Sequence, residues 1–172
     1  MSKKNIYHYY VEGEDEKSVL NALKSELRCI ESGKIDQFNV IQNRFTQARI
    51  RSLKDGTIVV LVYDTDVESN MENLQYNIEF LKRQRGIKAV LCIPQVKNLE
   101  DELTRACRVK CAEEITQSRT TKDYKKELIT CTNLGNRLCK CGFDISKFWS
   151  IQPNNKFSKY GNDAEKIKIR EK

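Results

Sequence analysis

Hydrophobic positions along this chain switch repeatedly between the spacing of a strand and that of a helix. Residues 5–11 carry Ile6, Tyr7, Tyr9, Tyr10 and Val11, β-favouring types that predict a first strand. Leu20, Leu23, Leu27 and Ile30 then fall at helical spacing and predict an amphipathic helix over 15–30, broken by Gly33. Phe38, Val40 and Ile41 predict a short second strand over 37–42. A helix over 44–54 is closed by the turn signal Asp55-Gly56. Ile58 to Val62 form an unbroken apolar run, the pattern of a central parallel strand covered on both faces. Met71, Leu74, Ile78 and Leu81 predict a helix over 68–85, ended by Gly86, and 87–94 reads as a fourth strand.

Strands alternating with helices predict an α/β fold, Rossmann-like, with a mainly parallel four-stranded sheet flanked by helices and right-handed crossovers. Ligands of such sheets bind beyond the carboxyl ends of the strands. Past the sheet, Asn98 is the expected N-cap of a helix with acids in its first turn, and Leu99, Leu103, Cys107 and Cys111 share one face. A second helix is expected over 122–140. Phe143, Phe148 and Trp149 are expected to pack the C-terminal region onto the sheet. The lysine-rich stretch from Pro153 is expected to be ordered only in part. The predicted organisation is a domain over 5–104, a basic helical extension over 105–152 and a polar tail over 153–172.

Two acidic signatures close predicted strands: Val11-Glu12-Gly13-Glu14-Asp15-Glu16-Lys17 and Tyr63-Asp64-Thr65-Asp66-Val67-Glu68. Carboxylates crowded on one rigid rim repel each other unless a cation sits among them. Glu12 and Glu16 are spaced to reach a common ion across the first helical turn, and Asp64 and Asp66 project to one side if strand geometry persists. Glu68 is an outer candidate. Hard oxygen donors of this kind suit Mg²⁺ or Mn²⁺. For Glu14 and Asp15 the plainer reading is that they complement the helix N-terminus.

The pairing of Val11-Glu12-Gly13-x-x-Glu16-Lys17 with a hydrophobic strand ending Asp64-x-Asp66 resembles the Toprim fold of topoisomerases, bacterial primases and OLD-family nucleases. The resemblance spans about residues 5–104. Glu16 and the Asn-Leu-Glu-Asp-Glu run at 98–102 are most similar to the OLD and RloB-like branch, nuclease parts of bacterial anti-phage systems. It implies Mg²⁺ binding by Glu12, Asp64 and Asp66, with Glu16 as an additional ligand and Glu12 also a candidate general base or acid. It implies phosphodiester hydrolysis of nucleic acid by metal-activated water, assisted by a lysine beyond the sheet. Lys97, Lys156 and Lys159 are the candidates. No Gly-x-x-x-x-Gly-Lys loop is present, so an ATPase partner of the OLD kind would be a separate chain.

Charge adds a second pointer to a polyanion. The chain is formally +7, yet residues 1–104 carry 15 basic and 16 acidic side chains, so the excess lies beyond them. Arg105, Arg108, Lys110, Lys125 and Lys126 are the expected backbone-tracking residues, which leaves DNA and RNA both open. No apolar run is long enough to span a membrane, and no signal-like segment opens the sequence, so the expected location is the cytoplasm. Seven cysteines without such a signal are expected to be reduced. A zinc reading of Cys107, Cys111, Cys131, Cys139 and Cys141 lacks the usual C-x2-C spacing, and core packing is the better account. Asp64-Thr-Asp66-Val also fits the first motif of haloacid-dehalogenase-type phosphatases, but the acid pair that family needs after a later strand is missing. A binding module without chemistry is the remaining alternative, and the oligomeric state is open.

Overall fold

The computed structural model describes residues 4–169. Four strands, β1 (Ile6–Val11), β2 (Gly33–Gln37), β3 (Thr57–Asp64) and β4 (Ile87–Gln95), form one sheet in the order β2-β1-β3-β4, with every pair parallel. Helix α1 (Glu14–Asn21) runs on through a π turn at Ala22–Glu26. It is followed by α2 (Gln47–Ile50), α3 (Met71–Lys82), α4 (Leu99–Ala106), α5 (Glu113–Thr116), α6 (Thr121–Thr130) and α7 (Leu134–Lys140). The α/β class and the parallel sheet agree with the sequence pattern.

Because side chains alternate across a strand, the sheet sends two sets of residues to two cores. Tyr9, Val11, Val60, Val62 and Ile93 face a core shared with Leu20 and Leu23 of the first helix, Leu103, Tyr124, Leu128 and Leu138 of the later helices, and Phe148 and Trp149. Tyr10, Val59, Leu61, Tyr63 and Cys92 face the other core, with Leu74, Ile78 and Leu81 of α3 and with Phe38, Phe45 and Phe157. The segment 105–152 thus packs on the sheet and completes the first core.

Several boundaries differ from the pattern reading. The second strand is Gly33–Gln37, not 37–42. Gly33 opens it because a Cβ there would lie 2.4 Å from the Tyr7 carbonyl oxygen, so only glycine permits the approach of β2 to β1. Phe38, Val40 and Ile41 still enter the core, but from the loop after the strand. The helix expected over 44–54 shrinks to four residues. The helix after Asn98 ends at Ala106, where Cys107 is extended, so Cys111 leaves the buried face and is exposed. The helix expected over 122–140 breaks at Cys131, also extended. The tail is ordered through residue 169: Phe157 and Ile167 are fully buried and Asp163 ties to β4 through Cys92. A few apolar anchors in a lysine-rich background carried that order. All seven cysteines are free thiols.

Leu61 is central and fully buried. Leu61→Ala is expected to cost about 2–5 kcal/mol of stability. Val67→Ala, at a side chain that is 57% exposed, is expected to cost about 0.5 kcal/mol or less. Denaturant midpoints at an unchanged m-value measure both.

Candidate metal centre

The strand order reverses direction between β1 and β3. From β1 the chain moves outward to β2, then returns to the other side of β1 to lay down β3 and β4. Helix α1 covers one face of the sheet and α3 the other. The two connections therefore diverge at the carboxyl ends of β1 and β3 and leave a crevice there, the usual ligand position of an open α/β sheet. Glu12 follows β1 directly and Asp64 ends β3. The Glu12 carboxylate accepts a hydrogen bond from the Asp64 backbone N–H at 3.3 Å.

Asp64 and Asp66 form a ridge between two spaces. On one side a cleft of about 580 Å³ is lined by the acids Glu100, Asp101 and Glu113, by Lys110 and Lys125, and by Asn98, Thr104 and Thr121. On the other a smaller cleft of about 250 Å³ lies between Glu12 and the loop at Asn39–Gln42. Asp66 is exposed and Asp64 half-buried. The rim is held from behind. Thr65 donates through its backbone N–H to the carbonyls of Gln95 (3.1 Å) and Lys97 (3.0 Å), and its hydroxyl donates to Gln95 O and accepts from the Lys97 N–H. To close this turn Lys97 adopts φ +65°, a left-handed conformation uncommon outside glycine.

Burial, with neighbouring acids adding to it, raises the carboxyls of the rim. Burial pushes the Glu12 carboxyl up to about 6, against the Asp64 N–H, with Asp66 and Asp15 adding to the rise. Burial likewise carries Asp64 up to about 8, helped by Glu12, opposed by a hydrogen bond from Gln95, and helped again by Asp66 and Glu100. Glu16 is raised by burial and by Asp15, but it turns back to accept the Gly13 N–H at 2.9 Å, which caps the helix start. That contact engages one of its carboxylate oxygens, and Asp64 is among the charges that raise it. Glu68 stands apart, exposed and 3.8 Å from Lys156.

Asp15 and Glu100 do more than complement helix termini. They flank Lys125 at 3.9 Å and 3.5 Å and bring negative charge to the cleft. Beside them the Tyr124 hydroxyl is buried without a hydrogen-bond partner, raised by burial and then by Glu100 and Asp15. The Asn-Leu-Glu-Asp-Glu run was the sequence signal for Glu100. Nothing in the sequence pattern pointed to Tyr124 or Gln95.

The basic candidates divide. Lys110 and Lys125 line the larger cleft. Lys126 is exposed on α6, next to Lys125. Arg105 does not face solvent as a phosphate-tracking side chain would: its guanidinium is bound to the buried Glu102 at 2.8 Å and to the Val96 carbonyl at 2.9 Å. Arg108 lies in a separate groove with Leu27 and Phe143. Lys97 sits on the rim loop. Lys159 instead reaches Gln75 of α3 and the Tyr160 ring.

The donor set suits a hard divalent cation: carboxylate oxygens from two adjacent strand ends, half-buried, carrying excess negative charge. Among the described residues, no three His, Cys, Asp or Glu side chains are gathered as a ready-made cage. Glu12 and Asp64 are pinned by hydrogen bonds, so closure of the set falls to the exposed Asp66. Gln95, not an acid, ends β4. No helix among the described residues is long and apolar enough to cross a membrane. No family model, curated protein or solved structure matches the chain.

The raised carboxyls set a pH dependence. Between the ordinary aspartate value near 3.8 and the folded value of about 8, folded Asp64 holds a proton that the unfolded chain releases. Without divalent ions, stability is therefore expected to fall as pH rises through that window, with Glu12 contributing between 4.5 and about 6. Mg²⁺ or Mn²⁺ is expected to flatten the fall, and Asp64→Asn to remove part of it. Melting temperatures from pH 4 to 9, with and without the ion, measure both effects.

Proposed function

We propose that the chain is a Mg²⁺- or Mn²⁺-dependent phosphodiesterase acting on nucleic acid, in the manner of the Toprim-type nucleases its acidic motifs resemble. The observation that carries the reading is the convergence of Glu12, Asp64 and Asp66 on the crevice where the strand order reverses. A structural role alone gives no reason to hold two carboxylates half-buried against each other at that spot. Lys110 and Lys125 line the same cleft and would meet a phosphate-bearing substrate there once a cation offsets the acids around them. A separate ATPase chain and a place in anti-phage defence follow from the resemblance only.

When bound, a divalent ion supplies charge stabilisation to a phosphoryl group and acidifies water. The chain's own residues do the rest. Asp64 and Asp66 present donors on the ridge. Glu12, lifted to about 6, is poised to accept or return a proton near neutral pH. Lys97 stands on the same rim as an ammonium available to charge developing on phosphate. Lys125 is held by Asp15 and Glu100 so that its charge is fixed at the cleft wall.

A second reading, a binding module without chemistry, draws on the open arrangement of the acids. Calorimetry with Mg²⁺ and Mn²⁺, followed by cleavage assays on single- and double-stranded DNA and RNA with or without EDTA, separates the two. Asp64→Ala/Asp66→Ala is expected to lose cation binding and cleavage together. Lys97→Ala is expected to lower turnover on the order of 10²–10³-fold, with Lys159→Ala unchanged. Cation binding with no cleavage of any polymer would leave the binding module; no cation binding at all would sink the metal reading.

A further inference from the structure

Asp64 is oriented by a chain of buried hydrogen bonds that begins far along the sequence. Gln95 lies beside it in register on β4 and is fully buried. The Gln95 amide nitrogen donates to Asp64 Oδ1 at 2.6 Å. Its amide oxygen accepts from the indole Nε1 of Trp149 at 3.4 Å. An indole N–H only donates, whereas a glutamine amide can turn either end toward a neighbour. Trp149 therefore selects the amide orientation that presents N–H, and not oxygen, to the Asp64 carboxylate.

Both ends of this contact are fixed by one side chain. The carboxylate of Glu102, fully buried, accepts from the backbone N–H of Trp149 at 2.9 Å and of Val96, the neighbour of Gln95, at 2.9 Å, and Arg105 neutralises it. Trp149 itself adopts φ +53°, costly for a bulky residue, while its carbonyl accepts from Asn162. Such a conformation persists only where its surroundings over-determine it, and here they aim the indole at Gln95.

We propose that Gln95 and Trp149 are positioning residues for the metal centre: Trp149 sets the Gln95 amide, and Gln95 holds Asp64 Oδ1 so that the other carboxylate oxygen is left for the cation. This rests on the metal reading above. It makes the C-terminal extension part of the site. Partners that orient a metal ligand commonly govern affinity about 10–100-fold.

The test is a double-mutant cycle of Mg²⁺ affinity on the full chain, with Gln95→Met, which keeps bulk, and Trp149→Phe, which keeps an aromatic ring of smaller size; both remove the hydrogen bonds. Each is expected to weaken Mg²⁺ binding, Gln95→Met by about 10–100-fold. The double variant is expected to be no weaker than Gln95→Met, because Trp149 acts through Gln95. Additive losses, or a Trp149→Phe affinity equal to wild type, would overturn the proposal; a buried aromatic acting only through stability would show one of these. Trp149 is the only tryptophan, so its indole N–H gives a single identifiable NMR signal. That signal is expected to shift in Gln95→Met and, through Gln95, in Asp64→Ala. If wild type binds no Mg²⁺, the metal reading fails and this signal decides the positioning chain alone: an indole unmoved by Asp64→Ala overturns it.

Discussion

Two carboxylates sharing one crevice are the constraint on which the rest of the site depends. Glu12 and Asp64 arrive there because β1 and β3 are adjacent, parallel and in register, so that both strands end at the same level. Each is raised chiefly by being partly taken out of water; Glu12 adds to the rise of Asp64, and Asp66 adds to both. In the absence of a cation the arrangement favours holding protons; a divalent ion relieves the same strain without them. The architecture therefore places an electrostatic cost where a ligand can remove it.

That cost is sustained because the rim cannot relax. Thr65 is tied to Gln95 and Lys97 by its backbone and its hydroxyl together, and the left-handed Lys97 closes the turn. Asn155 of the C-terminal segment donates to the Thr65 carbonyl, and Phe157 packs against Tyr63 just below. Glu102, Arg105 and Trp149 anchor the β4 side. Residues from the sheet, from α4 and from the last thirty positions of the chain thus converge behind Asp64, while Asp66 in front of it stays exposed.

The strand-forming runs and the acids that follow them were legible because both are local. Ile58 to Val62 fit a strand buried on two faces, and Asp64 then stands at its end. Non-local features were not legible. Gly33 reads as a helix breaker until β1 is beside it, when its lack of a Cβ proves to be what lets β2 pair. Arg105 reads as a surface cation until Glu102, three residues earlier, is found at zero exposure. Phe157 and Ile167 are single apolar residues in a charged stretch, too sparse for periodicity, and only the groove they fill explains their order. Gln95 carries no charge and no motif; its part in the site follows from its register opposite Asp64.

The distribution of cations changes what the basic C-terminal region means. An even polyanion track would present its lysines and arginines along one face, yet Arg105 is consumed by Glu102, Arg108 serves another groove and Lys125 is shared by two acids. What lines the cleft is mostly acidic: Asp64, Asp66, Glu100, Asp101 and Glu113 against Lys110 and Lys125, with Asn98, Thr104 and Thr121 among them. With its acids ionised and no cation among them, such a surface repels a phosphate chain by long-range charge. A divalent cation bound among the acids would offset much of that negative charge. On the proposed function, polyanion recognition and cation binding would therefore be coupled in this cleft, each favouring the other through the same carboxylates.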